Sequence, residues 1–384
     1  MKQFSKQAGF NSRAVHAGTI LDEVLGGVNS PIFTSTAIDF RYEGAVPYPR
    51  NFNVPNHDAV AQKIAALEFG ESALVLSTGM AAIAVGILAA VQSGQHIIFQ
   101  SQLYGGTAAF IEQELSRFNI TWDYIDIVDE EHLQMSLKPN TALLYIETPS
   151  NPLLHITDIA IAVDFAKSNG LNVMIDNTFA SPFNQNPILL GCDIVMHSAT
   201  KYLGGHSDIM AGALIGSTEY IKKCKTIASN YGTSLNAADL SLLERSIKTI
   251  GIRVERHNNN AFGIAQFLSG HRNVGAVYYP GLTNHPGHDI ASRQMSGFGG
   301  MLSFELSSHS PDAIDSFFSK LSMIQPAGSL GGVESLITVP SLTSHKLIGK
   351  EQRKHLGISE NLLRFSVGIE DLEDLIEELD KALS

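Results

Sequence analysis

Short, largely apolar runs alternate with helical patterns through the first two thirds of the chain, and this alternation restricts the possible folds strongly. The runs are "SALVL" (72–76), "HIIFQ" (96–100), "ALLYIE" (142–147), "NVMID" (172–176), "DIVMHS" (193–198) and "AGALIG" (211–216). The segments "TGMAAIAVGILAAV" (78–91) and "GTAAFIEQELSRF" (106–118) are rich in helix-forming residues. Strands without a polar face, separated by helices, predict a mostly parallel sheet covered on both sides.

We expect the chain to fold into three structural parts, because it is long and because this alternation of strands and helices is lost at both of its ends. The 384 residues exceed the roughly 250–300 that a single hydrophobic core accommodates. Residues 1–50 are expected to form an extended N-terminal arm, and residues 51–250 a large α/β domain. Residues 251–384 contain the strand pattern "MLSFEL" and end in an acidic amphipathic helix, so we expect a smaller α+β domain there.

Composition restricts the partners and the compartment of the protein. The formal net charge of −12 disfavours nucleic acid and anionic membranes as partners. No stretch approaches the roughly 18–20 uncharged apolar residues of a membrane span, and residues 1–12 lack the apolar core of a secretory signal. The two cysteines cannot build a disulfide framework. We therefore expect a cytoplasmic protein that binds neither nucleic acid nor membrane.

Residues that carry chemistry stand where the predicted strands end, which is the edge at which parallel sheets bind ligands. Lys201 lies in "HSATKYLGGHSD" (197–208), directly after an apolar run. Its ammonium either extends to solvent or loses its charge in a reaction. Asp176 ends the strand "NVMID". It is either a turn or cap residue, or a carboxylate that faces a cationic ligand.

Two further groups of residues are suited to bind an anion at the same edge. Thr78, Gly79 and Met80 open a helix directly after a strand. The N–H groups and the dipole of a helix start favour a phosphate, although an ordinary strand–helix turn has the same composition. Ser198 and Thr200 add hydroxyl groups beside the lysine.

Pyridoxal 5′-phosphate (PLP) requires all of these groups together. Its aldehyde forms a Schiff base with a lysine whose pKa is lowered, as expected for Lys201. A carboxylate such as Asp176 keeps the pyridine nitrogen protonated, so that the ring can accept electrons. The helix start and the hydroxyl groups would hold the phosphate, and Tyr104 in "LYGGT" would stack on the ring.

Seven motifs follow one another across nearly the whole chain: "STGMAAI" (77–83), "LYGGT" (103–107), "ETPSNP" (147–152), "DNTFASP" (176–182), "HSATKYLGGHSD" (197–208), "SLGGVESLI" (329–337) and "RFSVGIEDLEDLI" (364–376). In this order they resemble the Cys/Met-metabolism (trans-sulfuration) family of PLP-dependent enzymes. The family includes cystathionine γ-synthase, cystathionine lyases and methionine γ-lyase. The resemblance implies an α/β fold of PLP-dependent transferase fold type I, in which the large domain binds PLP.

The resemblance also implies roles for individual residues. Lys201 would form the Schiff base and then move protons, and Asp176 would pair with the pyridine nitrogen. Tyr104 would stack on the ring and also act in catalysis, by taking a proton from the incoming amino acid. The residues implied to bind the phosphate are Thr78, Gly79, Met80, Ser198 and Thr200, and those implied to bind the substrate carboxylate are Asn151, Ser329 and Arg364. Tyr48 and Arg50 match residues that contact the phosphate of a neighbouring subunit. This implies a homodimer with shared active sites, which in this family usually pairs into a homotetramer.

Some positions depart from the family pattern. Pro47, Ala109 and Gly328 replace polar residues of cystathionine γ-synthase and γ-lyase. Without them the far end of a large, charged substrate lacks partners, which favours a smaller side chain such as that of methionine or homocysteine. The loop "YPRNFNVPN" (48–56) has an extra residue, so its local structure should differ. His197 and His206 flank the lysine without a third ligand, and no metal site is expected.

These features predict a PLP-dependent carbon–sulfur lyase that eliminates the γ- or β-substituent of a sulfur amino acid. Its products would be a 2-oxo acid, ammonia and a thiol. The alternative within the family is γ-replacement, as in cystathionine γ-synthase or an O-acylhomoserine sulfhydrylase. An inactive binding protein on the same fold is a more distant alternative.

Overall fold

Helices and strands alternate along most of the chain in the computed structural model, which describes residues 7–44, 46–308, 310, 312–344, 346 and 349–384. The helices are α1 (Phe10–His16), α2 (Pro55–Glu68), α3 (Gly79–Ala90), α4 (Gly105–Glu114), α5 (Glu130–Ser136), α6 (Ile159–Ser168), α7 (Ser181–Asn184), α8 (Thr218–Tyr231), α9 (Ala237–Ile247), α10 (Ile250–Ser269), α11 (His288–Gln294), α12 (Ala313–Phe318), α13 (Lys350–His355) and α14 (Leu372–Leu383). The strands are β1 (Ser72–Leu76), β2 (His96–Gln100), β3 (Thr121–Ile125), β4 (Thr141–Glu147), β5 (Asn172–Asp176), β6 (Ile194–His197), β7 (Gly212–Gly216), β8 (Val274–Tyr278), β9 (Met301–Leu306), β10 (Gln325–Pro326), β11 (Leu336–Thr338) and β12 (Leu362–Ser366). No helix within these ranges is long and apolar enough to cross a lipid bilayer.

The first seven strands form one sheet in the order β1-β7-β6-β5-β4-β2-β3. All of them run in the same direction except β7, which is antiparallel to both of its neighbours. The prediction of a mostly parallel sheet is therefore confirmed. Residues 198–211, which join β6 to β7, contain no helix, so the chain turns back at the edge of the sheet. This connection keeps Lys201 at the edge where the parallel strands end.

Helices cover both faces of this sheet, as the apolar strands predict. Successive residues of a strand belong to two separate clusters of buried side chains: in β5, Val173 and Ile175 contribute to one and Met174 to the other. The first cluster includes side chains of α2, α6 and α9, and the second includes side chains of α3 and α8. With both faces buried, the ends of the strands are where polar side chains can meet a ligand.

A second sheet of five strands lies in the C-terminal part, in the order β10-β11-β12-β9-β8. Its strand pairs are antiparallel except for β10 and β11. Helices α10, α12 and α14 pack on it and share a hydrophobic cluster of their own. Helix α10 begins at Ile250, next to the predicted domain boundary. The boundaries of the domains themselves stay a prediction.

In its described residues the N-terminal segment contains one α-helix, α1, which the sequence pattern did not predict. After it, residues 17–44 and 46–48 form neither helix nor strand. Four apolar side chains of this segment are more than four fifths exposed: Val24, Leu25, Val28 and Phe40. Exposed apolar side chains in an extended segment are typical of a surface that contacts another chain.

Candidate active site

A cavity of about 380 Å³ lies at the carboxyl ends of the parallel strands. Eleven residues that the sequence indicated line it together: Thr78, Gly79, Met80, Tyr104, Asn151, Asp176, Ser198, Thr200, Lys201, Ser329 and Arg364. Tyr48 and Arg50 are not among the lining residues. The lining residues come from segments that are far apart in the sequence. They meet at the common edge of the large sheet, where β12 and the loop before β11 also lie.

The first turn of α3 lies at the cavity. Thr78 is the N-cap residue, and its Oγ1 accepts a hydrogen bond from the N–H of Ala81 at 2.9 Å. Within the described ranges, the N–H groups of Gly79 and Met80 have no acceptor. A Cβ added at Gly79 would lie 2.8 Å from Ser198 Cβ, so only glycine allows the helix start and the loop after β6 to approach this closely. The exposed N–H groups at the helix start are suited to bind an anion.

Ser198 and Thr200 belong to the loop after β6, and their hydroxyl groups differ in availability. The N–H of Ser198 donates to Thr178 Oγ1 at 2.9 Å, whereas the Ser198 hydroxyl has no partner in the described part of the chain. The Thr200 hydroxyl donates to the carbonyl of Ala211 at 3.2 Å and accepts the Ala211 N–H at 3.0 Å. Ser198 is therefore free to donate to an anion, while Thr200 would first have to release the Ala211 carbonyl.

The side chain of Lys201 extends along the cavity wall, and its Nζ donates to Ser329 Oγ at 2.7 Å. Burial, and to a smaller degree the cation of Arg364, lowers the pKa of Lys201 to about 8. A larger fraction of this amine is therefore neutral near pH 7 than of an exposed lysine. The neutral amine is the nucleophilic form.

Asp176 ends β5 and is only 7% exposed. Burial raises the pKa of its carboxyl group, although hydrogen bonds from Thr178 and the charge of His197 act in the opposite direction. No lysine or arginine of the described residues forms an ion pair with it. A cationic group bound in the cavity would therefore stabilise this buried carboxylate.

Arg364 on β12 is buried and reaches the cavity from the second sheet. Its Nη1 donates to Asn151 Oδ1 at 2.9 Å and its Nη2 to the carbonyl of Ser329 at 3.1 Å. Nε is buried and has no partner among the described residues. Burial lowers the pKa of Arg364 to about 10, so the guanidinium is still charged at neutral pH. A planar cation with an unpaired N–H is suited to bind a carboxylate.

Ser329 has an unusual backbone conformation, in which it contacts two neighbouring basic side chains. Its φ of 72° lies in the left-handed region, which a non-glycine residue seldom adopts. In this conformation its hydroxyl faces Lys201 and its carbonyl faces Arg364. Strained residues of this kind are concentrated at functional sites.

Three further residues with predicted roles, Tyr104, Tyr48 and Arg50, lie nearer the surface. Tyr104, which precedes α4, is 46% exposed and contributes one wall of the cavity. Arg50 Nη1 donates to the carbonyl of Ser229 at 2.9 Å, and its guanidinium lies 5.7 Å from the centroid of the Tyr48 ring. The predicted contact of Tyr48 and Arg50 with a neighbouring subunit stays a prediction.

Four polar residues of the cavity were not predicted from the sequence: Glu147, Thr178, Thr343 and Ser344. Glu147 ends β4, and the N–H of Thr178 donates to Asp176 Oδ1 at 2.9 Å. Glu147 and Thr178 lie within the motifs "ETPSNP" and "DNTFASP", at the end of β4 and just after the end of β5, and this position was the available signal. The apolar part of the lining consists of Met80, Ile83, Phe179, Met196, Met210 and Leu330.

Known proteins share this sequence and structure. Residues 11–384 match the sequence profile described as Cys/Met metabolism PLP-dependent enzyme. The chain belongs to this family. It is 42% identical over 373 residues to a cystathionine gamma-lyase of Bacillus subtilis (strain 168), with 96% of this chain and 97% of the relative covered. It is also 42% identical over 376 residues to a cystathionine beta-lyase of Lactococcus lactis subsp. cremoris (strain MG1363), with coverage of 97% and 98%.

A solved structure of the same family has nearly the same fold. The cystathionine gamma synthase from Xanthomonas oryzae pv. oryzae, in complex with aminoacrylate and cysteine, matches with a TM-score of 0.94 and 37% identity over 98% of each chain. The predicted family and the predicted α/β fold class are thereby confirmed.

As a Cys/Met-metabolism enzyme the protein uses PLP, and the residues of the cavity fit this cofactor. The free N–H groups of α3 and the Ser198 hydroxyl can hold a phosphate. No lysine or arginine of the described residues pairs with the carboxylate of Asp176, and a protonated ring nitrogen would supply a cationic partner inside the cavity. The amine of Lys201, with its lowered pKa, can bond covalently to an aldehyde. Each reactive part of PLP therefore has a chemical partner in the cavity.

Proposed function

We propose that this enzyme eliminates the γ- or β-substituent of a sulfur amino acid and, with one molecule of water, releases a 2-oxo acid, ammonia and a thiol. When bound, PLP supplies the electron sink for the negative charge that develops at the substrate Cα. Lys201 would hold the cofactor covalently, and its amine, once free, would take the proton from the substrate Cα and, for a γ-substituent, a second proton from Cβ. Asp176 stabilises the cationic ring nitrogen. The N–H groups of Gly79 and Met80, with the hydroxyl groups near Lys201, hold the phosphate.

The substrate is oriented by its α-carboxylate, which binds to Arg364. Asn151 fixes one side of the guanidinium through its bond to Nη1, and Ser329 fixes the other through Nη2. The unpaired Nε then remains available to the carboxylate. With the carboxylate held there, Lys201 would remove the Cα proton, and Tyr104 in the wall of the cavity would donate a proton to the departing thiolate.

The charge of the cavity supports elimination from a small substrate. The charged residues that line it in the described part of the chain are Glu147, Asp176, Lys201 and Arg364. Three of them have proposed tasks at the cofactor or at the α-carboxylate, and both oxygens of the fourth accept backbone N–H groups. None of them is left for a distal ammonium or carboxylate, whose burial without a partner is unfavourable.

The assembly is part of this proposal. Tyr48 and Arg50 lie outside the cavity of their own chain, next to a segment whose apolar side chains are exposed. We infer that this segment contacts a second copy, so that the enzyme is a homodimer with shared active sites that pairs into a homotetramer. The proposed location is the cytoplasm.

A substrate screen tests the reaction. Purified enzyme with PLP is given L-methionine, L-homocysteine, L-cystathionine, or O-acetyl- or O-succinylhomoserine together with L-cysteine. We expect release of 2-oxo acid and thiol from a sulfur amino acid. γ-Replacement is the second candidate because a cystathionine gamma synthase has nearly the same fold. Formation of a new amino acid without release of 2-oxo acid would contradict the proposed elimination.

The variant Gly328→Glu tests the proposed cause of substrate choice. Gly328 lines the cavity, and a Cβ added there meets no atom within 4 Å, so a side chain can be accommodated. The new carboxylate offers a partner to the distal ammonium of L-cystathionine. We expect kcat/KM for L-cystathionine to rise about tenfold relative to L-methionine, as for one added charged hydrogen bond.

The matched control is Gly328→Gln, which has the same shape without the charge. We expect it to change the ratio of the two kcat/KM values by much less than Gly328→Glu does. Equal effects of the two variants would show that volume, and not charge, determines the choice at this position.

A further inference from the structure

Glu147 has no role in the proposed chemistry, although it lies in the same cavity as the reacting groups. It is the last residue of β4, is only 4% exposed, and is paired in register with Asp176 on β5. Burial and the neighbouring Asp176 carboxylate raise the pKa of Glu147. A carboxyl group is unfavourable at such a position unless its hydrogen bonds compensate for burial.

The two oxygens of Glu147 bind the backbone of two different loops. Oε2 accepts the N–H of Tyr104 at 2.8 Å, and Oε1 accepts the N–H of Asn151 at 3.3 Å. The backbone of Glu147 is itself held by Gln100, whose Nε2 donates to its carbonyl at 3.1 Å and whose Oε1 accepts its N–H at 3.3 Å. The carboxylate is thus a fixed bridge between the loop after β2 and the loop after β4.

The bridge joins the cofactor side of the cavity to the substrate side. Tyr104 lines the wall where the PLP ring would stack, while Asn151 orients Arg364 through Oδ1. Arg364 continues to Ser329, and Ser329 to Lys201. A single continuous set of hydrogen bonds therefore runs from Tyr104 through Glu147 to the lysine.

We propose that Glu147 is a positioning residue that holds Tyr104 and Asn151 at a fixed separation, so that the stacked cofactor and the substrate carboxylate are aligned. This inference rests on the proposed function only in taking Tyr104 as the stacking residue and Asn151 as part of the carboxylate site. A carboxylate suits the task because both of its oxygens accept hydrogen bonds. Glutamine has the same shape, but it presents an NH₂ group to one of the two N–H donors.

The holoenzyme of Glu147→Gln tests the proposal through binding as well as activity. One N–H group loses its buried acceptor, and the affected loop should shift. We expect a reduced visible circular dichroism signal per bound PLP, which reports the environment of the ring. We also expect the dissociation constant of L-alanine, followed by the change in PLP absorbance, to rise about tenfold, consistent with one lost buried hydrogen bond.

Glu378→Gln is the matched control. Its carboxylate is buried in α14, outside the cavity, and accepts the N–H groups of Ser322, Met323 and Ile324. We expect this variant to lower the thermal unfolding midpoint, Tm, without changing the dichroism or the L-alanine affinity.

Glu147→Asp, which retains the charge but is too short for both N–H groups, provides the same two readouts if the glutamine variant does not fold.

An unchanged dichroism and an unchanged L-alanine dissociation constant in the Glu147 variants would overturn the proposal, whatever the change in Tm. Glu147 would then only stabilise the fold, as Glu378 does. L-Alanine has no leaving group, so its binding does not depend on elimination or on sulfur. A failed substrate screen with a positive Glu147 result would therefore refute the proposed reaction and leave the positioning role supported.

Discussion

Replacement of Lys201 with alanine is expected to abolish the visible absorbance band that PLP acquires when it is bonded to a lysine. Among the described residues, Lys201 is the one lysine that lines the cavity. Its lowered pKa of about 8 makes its amine reactive. The variant also lacks the base that removes the Cα proton. Because general-base catalysis alone contributes roughly 10²–10⁴-fold, we expect kcat/KM to fall by at least about 10³-fold. Spectra and initial rates of cofactor-saturated protein measure both effects.

Lys63→Met is an informative control for this variant. Lys63 is fully buried in α2, and burial lowers its pKa to about 8 as well. Its Nζ donates to the carbonyl of Val15 at 3.2 Å and lies outside the cavity. We expect this variant to retain the absorbance band, because a lowered pKa without access to the cofactor does not produce the bond. A Lys201→Ala protein that retains the band and the activity would refute the assignment of Lys201.

The sequence was sufficient to predict the large sheet and the edge at which the site lies. Strands β1, β2, β4 and β5 have apolar side chains on both faces, and this pattern is typical of strands that are buried on both faces. Asp176 and Lys201 were found because a charged residue at or shortly after the end of such a strand is conspicuous. Once the strands are known to be parallel, their ends must meet at one edge, and the cavity follows from the topology.

Other features depend on tertiary contacts that the sequence pattern does not contain. Strand β3 was not predicted because it is an edge strand, and its residues are mostly exposed or half-buried. The antiparallel direction of β7 follows from a connection without a helix, not from the composition of the strand. The role of Glu147 was also missed, because it depends on two backbone N–H groups from separate loops.

Replacement of Glu68 with leucine is expected to destabilise the protein more than any loss of a surface ion pair. Glu68 ends α2, and its Oε1 accepts hydrogen bonds from His197 Nε2 at 2.5 Å and from Asn177 Nδ2 at 2.9 Å. The side chains of Glu68 and His197 are 0% and 2% exposed. Removing Glu68 leaves the buried imidazole of His197 without its acceptor, which costs about 1–3 kcal/mol, and more for a charged group. We expect Tm to fall by about 5 °C or more at fixed concentrations of protein and PLP.

The double variant Glu68→Leu/His197→Leu separates the buried hydrogen bond between these side chains from general packing. Because no imidazole is then left buried without its acceptor, we expect its Tm to lie above that predicted by adding the two single effects. Glu219→Gln, which removes an exposed partner of Lys223, should leave Tm unchanged. Strict additivity of the two single variants would show that Glu68 and His197 stabilise the fold independently. Non-additive effects would mean that the contact between Glu68 and His197 holds helix α2 against the ends of β5 and β6. Those strand ends place Asp176 and Lys201 in the cavity.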